Sequence, residues 1–287
     1  MQNIYALSKL ASSSVDNEEG KKGLKLFYTK ANKIKNRNIV IRMFQYAAII
    51  TILITSTFFF TKFYYDLKES SENNILYVPA GQRAKISLQD GTTVWLNAKS
   101  TLKYPAKFSR HNRKVEVIGE AYFDVAKDKK KPFIVSSQAI EIKVLGTQFN
   151  IHSYPESGFI ATDLIEGSLM VYDKNFKHEF ITLKPNQQAT YKSGKMYLSS
   201  TKHKDYFLWR DGIYAFENEK LNDILEKLQL YYDIKINIVD AKLVDTRYTG
   251  KFRQRDGIDE ILRIIQKIQP FNIKKDMENN IITLSKQ

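Results

Sequence analysis

Residues 84–97 read AKISLQDGTTVWLN. Ala84, Ile86 and Leu88 are apolar, and Lys85, Ser87 and Gln89 between them are polar. A period of two marks a strand with one buried face. Asp90-Gly91 follows and predicts a two-residue hairpin turn with positive φ at both positions. TVWLN, residues 93–97, is the return strand. The same patterning predicts short strands at 114–118, 121–125, 133–135, 140–145, 159–164 and 168–172, punctuated by Gly119, Gly146, Gly158 and Gly167. Many short strands without a long helical pattern give an all-β domain over residues 75–200, either a sandwich or a solenoid-like stack. The 17 Tyr and 17 Phe lean the same way.

Beyond Asp205 the period changes. Leu221, Ile224, Leu225, Leu228 and Tyr232 share one helical face, with Asn218 in place to cap it. Ile234, Ile236 and Ile238 then alternate as a strand. A second round has a strand ending at Phe252, a helix with Asp256 as cap and Asp259 at its third position, and the face Ile258, Ile261, Leu262, Ile265 and Ile268. Ile273, Ile281, Ile282 and Leu284 supply closing strands. Residues 205–287 therefore read as a small α+β domain, a duplicated βαβ unit with two helices on one sheet.

Upstream, the polar stretch 62–74 reads as a linker. Residues 43–61, MFQYAAIITILITSTFFFT, carry no charge and are long enough to cross the roughly 30 Å hydrocarbon core as a helix. Threonine and phenylalanine follow where a cleaved signal peptide needs small residues, so the span reads as an anchor. Residues 1–61 hold nine Lys/Arg against three Asp/Glu, all of them in the basic segment 1–42 that precedes the span. The positive-inside rule predicts a cytoplasmic N-terminus and, in a Gram-negative cell, a periplasmic remainder anchored to the inner membrane. Leu24, Phe27, Tyr28, Ala31 and Ile34 fall at helical spacing within the basic segment.

The net charge of +14 invites a nucleic-acid reading. The dense basic block abuts the anchor, however, and residues 62–287 carry 36 cations against 28 anions, an ordinary basic surface. No nucleic-acid partner is expected. The absence of cysteine excludes disulfides, thiolate catalysis and cysteine zinc sites. His111, His152, His178 and His203 have no ligand spacing, and no cofactor or metal is expected. Glu116, Glu120 and Asp124 sit four apart, as a hydrolase carboxylate pair would on one strand face, but Gly119 interrupts the register. The chain reads as a non-enzyme.

Several stretches in order carry a family resemblance: VPAGQRAKISLQDGTTVWLNAKSTLKYP (78–105), GEAYFDVAKD (119–128), KPFIV (131–135), VLGTQFNIHSY (144–154), LIEGSLMV (164–171) and LKPNQQATY (183–191). They resemble FecR-type transmembrane regulators. WRDGIYAFENEKLNDILEKLQLYYDIKI (209–236), TGKF (249–252) and IITLSK (281–286) resemble the C-terminal domain of FecR-like proteins of Bacteroidetes, which is similar to the short signalling domain of secretins and TonB-dependent transporters. The resemblance implies a signal transducer, an anti-sigma factor. It would hold an extracytoplasmic-function sigma factor in the cytoplasm and answer to the periplasmic signalling domain of a TonB-dependent transporter. Residues 16–42 resemble the tail of the helical domain that binds the sigma factor in that family. The rival reading is an envelope-anchored module that binds glycan or cell wall without signalling.

The motif residues have structural readings first. Gly81, Gly91, Gly119 and Gly146 supply turns. Trp95, Phe123, Phe133 and Phe149 are expected in the core. Asp90, Leu96, Asn97, Glu120, Pro132 and Thr147 complete the motif. Trp209, Gly212, Phe216, Gly250 and Phe252 are the candidates for docking a partner on an exposed sheet edge.

Overall fold

The computed structural model describes residues 18–69, 73–176, 179–201, 204–240 and 245–286. Residues 1–17 of the basic segment, His178 and His203 lie outside them, as do residues 202–203 at the expected domain boundary.

The apolar span read as an anchor belongs to helix α1 (Glu18–Glu69), of 52 residues. Its apolar stretch Ile41–Tyr64 spans 24 residues, about 36 Å at the helical rise, and none of it is buried by protein. Its threonines bond back along the helix: the hydroxyls of Thr51, Thr57 and Thr61 donate to the carbonyls of Ala47, Leu53 and Thr57 at 2.7–2.8 Å. Those polar atoms are thus satisfied inside the segment, as lipid requires. The helix continues to Glu69, and the first strand begins at Asn73. The polar stretch 62–74 is therefore helix and strand over most of its length. A helix already nucleated propagates cheaply through residues such as Leu67, Lys68 and Glu69.

The residues beyond this helix form one compact unit. Its first part is a sandwich of thirteen strands. One sheet runs β1 (Asn73–Val78), β4 (Ser100–Pro105), β5 (Arg113–Asp124), β6 (Phe133–Ser137), β7 (Ile140–Val144), β10 (Leu169–Asp173) and β11 (Phe180–Leu183). The other runs β2 (Ala84–Ser87), β3 (Thr93–Leu96), β5 again, β8 (Gln148–Ser153), β9 (Phe159–Glu166), β12 (Gln187–Lys192) and β13 (Lys195–Ser200). Strand β5 belongs to both. Up to Ile118 it pairs with β4 and β6, and from Gly119 onward with β8 and β3. The sequence divides this strand in two at Gly119; the backbone is continuous and turns from one layer to the other there. Gly119 has φ +93°, and a Cβ would lie 2.8 Å from the Ser100 Cα, so only glycine allows the crossing.

Val94, Leu96, Phe123, Phe149 and Ile151 from the second sheet meet Leu102, Val117, Phe133, Val135 and Ile142 from the first in one core. Phe123 and Phe149 stack with centroids 5.0 Å apart. The hairpin at residues 88–92 differs from the two-residue turn expected. Gly91 N–H donates to the Leu88 carbonyl and Leu88 N–H to the Thr92 carbonyl, and positive φ falls on Gly91 and not on Asp90. This is the three-residue connection, a turn followed by a left-handed glycine. It leaves the Asp90 carboxylate to accept from Thr92 N–H and Oγ1 and from the buried Arg113 guanidinium at 2.8 Å.

The second part follows a 3₁₀ turn (Lys204–Asp211) and contains β14 (Ile213–Lys220), α2 (Leu221–Tyr232), β15 (Lys235–Ile238), β16 (Arg247–Arg253), α3 (Gly257–Ile268), β17 (Phe271–Asp276) and β18 (Ile281–Lys286). The two rounds are present, but on two small sheets where one was expected. Among the described residues β14 pairs only with β16, and β18 lies between β15 and β17. The 3₁₀ turn that precedes β14 packs close to it. Asn218 does not cap α2. It holds φ +51° where the β14–β16 register shifts, and Lys220 occupies the cap position. Asp256 stands at the α3 cap position without a side-chain bond, and Asp259 pairs with Lys275 at 2.6 Å.

Candidate functional site

The second sheet is covered on both sides around β3, β5 and β9. Its inner face meets the other layer. Its outer face meets the 3₁₀ turn and α2: Trp95, Tyr122 and Ile165 of the sandwich pack into the same core as Phe207, Trp209, Leu225, Leu228 and Tyr231. The two parts therefore share a seam.

A polar row runs beneath it from Asn97, just past β3, across the four strands β5, β8, β9 and β12. Glu120, fully buried, accepts from the Asn97 amide at 2.7 Å and from the Asn150 amide at 3.0 Å. Asn150 faces Asp163 across the β8–β9 pairing, and the Gln188 amide donates to both Asp163 oxygens at 2.9 and 3.0 Å. From the C-terminal part, the Tyr206 hydroxyl donates to Glu120, and the Tyr231 oxygen accepts from the Asn97 side chain. Burial, reinforced by the nearby Glu120 charge, pushes both phenols well above their ordinary value. Both stay protonated, and Tyr206 donates to the carboxylate. A buried carboxylate ringed by three donors is a satisfied network, and it pins the C-terminal part to the sheet. Tyr206→Phe removes one of those donors and should lower the unfolding free energy by about 2 kcal/mol in denaturant titrations. No change would mean that the tyrosine does not fasten the seam.

His152 sits beside this row, stacked on Phe159 at 5.3 Å, its Nδ1 buried without a partner. Burial holds its pKa below the ordinary value, against the pull of Glu120. Between the unfolded value near 6.5 and the lower folded one, the unfolded chain binds a proton that the folded chain does not. Stability should therefore fall as pH drops below about 6.5 and level off once both states are protonated. Unfolding curves for wild type and His152→Phe across pH 5–8 check this. The variant should lose part of the decline; parallel curves would remove His152 from the account.

The loop before β2 clasps the other side of the seam. Gly81, at φ +74°, donates its N–H to the Leu230 carbonyl at 3.2 Å, and its carbonyl accepts from the Gln254 amide at 3.4 Å. Arg83 Nη1 donates to the Trp209 carbonyl. Gly212, at φ +80°, leaves room for that guanidinium, since a Cβ there would lie 3.0 Å from Nη2. Arg210 lies 4.2 Å over the Tyr122 ring and 5.9 Å over Trp95.

Phe123, Phe133 and Phe149 take the core places expected of them, and Leu96 packs beside them. Trp95 does not; it faces the seam, because its side of the sheet is covered and not solvated. The Pro132 carbonyl accepts from Arg113 N–H at 2.9 Å, and Thr147 Oγ1 donates to the Ser168 carbonyl at 2.9 Å. Gly146 holds φ +145° against Lys127. Glu116 and Glu120 fall in different sheets, and Glu116 pairs with Lys103 at 3.8 Å across an exposed face. Among the docking candidates, Trp209 and Phe216 are buried, the Phe216 and Phe252 rings lie 6.0 Å apart, and Gly250 backs onto Phe252. Asn150, Tyr206, Tyr231, Arg83 and Arg210 escaped the sequence reading. One signal was available: Ala121-Tyr122-Phe123 is an apolar run without alternation, the sign of a strand buried on both faces.

Residues 75–170 match the family described as FecR protein, and residues 213–284 match FecR, C-terminal. Two crystal structures of a candidate anti-sigma factor from Parabacteroides distasonis, at 2.50 and 1.65 Å resolution, superpose with TM-scores of 0.64 and 0.65 at 27% identity. They cover 75% of this chain and 100% and 99% of their own. No curated protein matches the sequence. With both family regions present in order, and joined by the seam, the chain belongs to the FecR family.

Proposed function

We propose that the protein is a membrane-anchored anti-sigma regulator. The likeness to the Parabacteroides anti-sigma factor over nearly all of that protein's chain carries this reading. The apolar helix ahead of the FecR region supports an anchor, and the charge step across it supports a cytoplasmic N-terminus with the sandwich in the periplasm of a Gram-negative cell. The cytoplasmic side holds an extracytoplasmic-function sigma factor, and the periplasmic side answers to the signalling domain of a TonB-dependent transporter. Such a device needs two states of different affinity for a partner and no catalytic group. The C-terminal part, similar to the short signalling domains of secretins and transporters, offers strand edges for pairing with a partner strand.

The test is co-purification of the full-length protein with the sigma factor encoded beside it. Alkaline phosphatase fused after Gln287 reports topology in the same cells. Retention of the sigma factor together with an active fusion is the expected result. An inactive but well-expressed fusion overturns the orientation. A protein that ignores every sigma factor encoded nearby, yet sediments with purified cell-wall sacculi, is an envelope-binding module instead.

A further inference from the structure

The seam opens at one end into a groove of about 540 Å³, lined by Arg83 of the sandwich and by Asp211, Gly212, Arg253, Gln254 and Arg255 of the C-terminal part. Its floor is fixed. Gln254 donates its backbone N–H to the Gly212 carbonyl at 2.9 Å and its side-chain amide to Gly81, and its carbonyl accepts the Tyr232 hydroxyl at 2.9 Å. The guanidiniums of Arg253 and Arg255 leave that pinned backbone on either side, both exposed, and neither has a hydrogen bond or ion pair among the described residues. Arg83 spends one nitrogen on Trp209. The lining carboxylate, Asp211, is engaged by Arg210 at 3.5 Å. Three cationic forks on rigid supports thus face one committed anion.

We propose that this groove binds an acidic peptide segment of a protein partner, its carboxylates taken bidentately by Arg253 and Arg255 and its passage bridging the two parts at Arg83. Guanidinium forks match carboxylate geometry, and holding them on fixed backbone lowers the ordering cost of binding. The groove has many times the roughly 30 Å³ share of one water molecule, so a lone inorganic anion fills little of it and a short extended segment fills it. This inference stands apart from the regulator reading, since it concerns only what the groove accepts.

The experiment uses the full-length protein in detergent micelles and a rhodamine-labelled hexapeptide alternating glutamate with valine, followed by fluorescence anisotropy. The wild type should bind it, and binding should weaken as salt rises. Arg253→Gln/Arg255→Gln, both at exposed positions, should weaken binding by tenfold or more with an unchanged unfolding midpoint. Arg253→Lys/Arg255→Lys, which keeps the charge and loses the fork, should fall between. The same peptide with glutamine for glutamate should not bind, and inorganic phosphate should displace the acidic peptide only in large excess. Lysine variants that bind as well as wild type, or a glutamine peptide that binds equally, would overturn the proposal. So would phosphate that displaces the peptide at equal concentration, which would make the groove a small-anion site.

Discussion

Replacing Glu120 by alanine should cost roughly 3–5 kcal/mol of folding stability, read as a fall of about 8–16 °C in Tm for a soluble fragment starting at residue 73. The carboxylate takes bonds from Asn97, Asn150 and Tyr206, and removing it leaves three buried donors with no acceptor. Each orphaned group costs on the order of 1–3 kcal/mol, and water has no easy route into a fully buried site. Glu120→Gln keeps an acceptor for two of the donors and should lose about half as much. A loss below about 1 kcal/mol for the alanine variant would mean that the polar row relaxes, and that the carboxylate is not what holds the C-terminal part down.

Gly119→Ala should be of similar size, about 3–5 kcal/mol, by a different cause. An L side chain at φ +93° is strained, and its Cβ would press on the Ser100 Cα at 2.8 Å. Ser100 cannot retreat freely, because its hydroxyl accepts the Glu120 backbone N–H at 2.9 Å and lies against the Tyr154 hydroxyl. Gly158→Ala is the control: it shares a positive φ, +71°, with open space around it, and should cost about 1 kcal/mol. Equal losses at the two positions would show that backbone strain alone matters and that the crossing of β5 is not tightly packed.

The sequence marked the strands whose two faces differ and missed what depends on distant partners. Leu96, Phe123 and Phe149 declare themselves by period and aromatic weight, and they fill the core. Asp90-Gly91 marked the hairpin, but not that Asp90 would be kept out of the turn's special geometry to pair with Arg113, twenty-three residues away. Gly119 looked like a break because a glycine inside a strand usually is one; here it lets a single strand serve two layers. The patterning does not predict β1, β4, β8 or β11 to β13, and among these FITL and KMYLSS are short and weakly alternating. Glu120 suggests a catalytic carboxylate in the sequence because nothing near it there says that Tyr206 donates to it. Trp95 was assigned to the wrong side of its sheet for the same reason. The outer face of that sheet is covered by residues more than a hundred positions onward, and alternation carries no information about which face is dry.

The seam also makes the C-terminal part a tethered ligand of the sandwich. β13 ends at Ser200 and the 3₁₀ turn that begins the cover starts at Lys204, so the cover is never far from the face it occupies. A short tether gives an effective local concentration on the order of millimolar. An outside protein that sought the Trp95–Tyr122 face would compete against that concentration as well as against the bonds to Glu120, and its apparent affinity would fall accordingly. Partners are thereby steered to what the cover leaves open. A fragment cut back to residues 73–200 would bare an aromatic surface that the intact chain keeps to itself, and would stick to proteins that the intact chain does not bind.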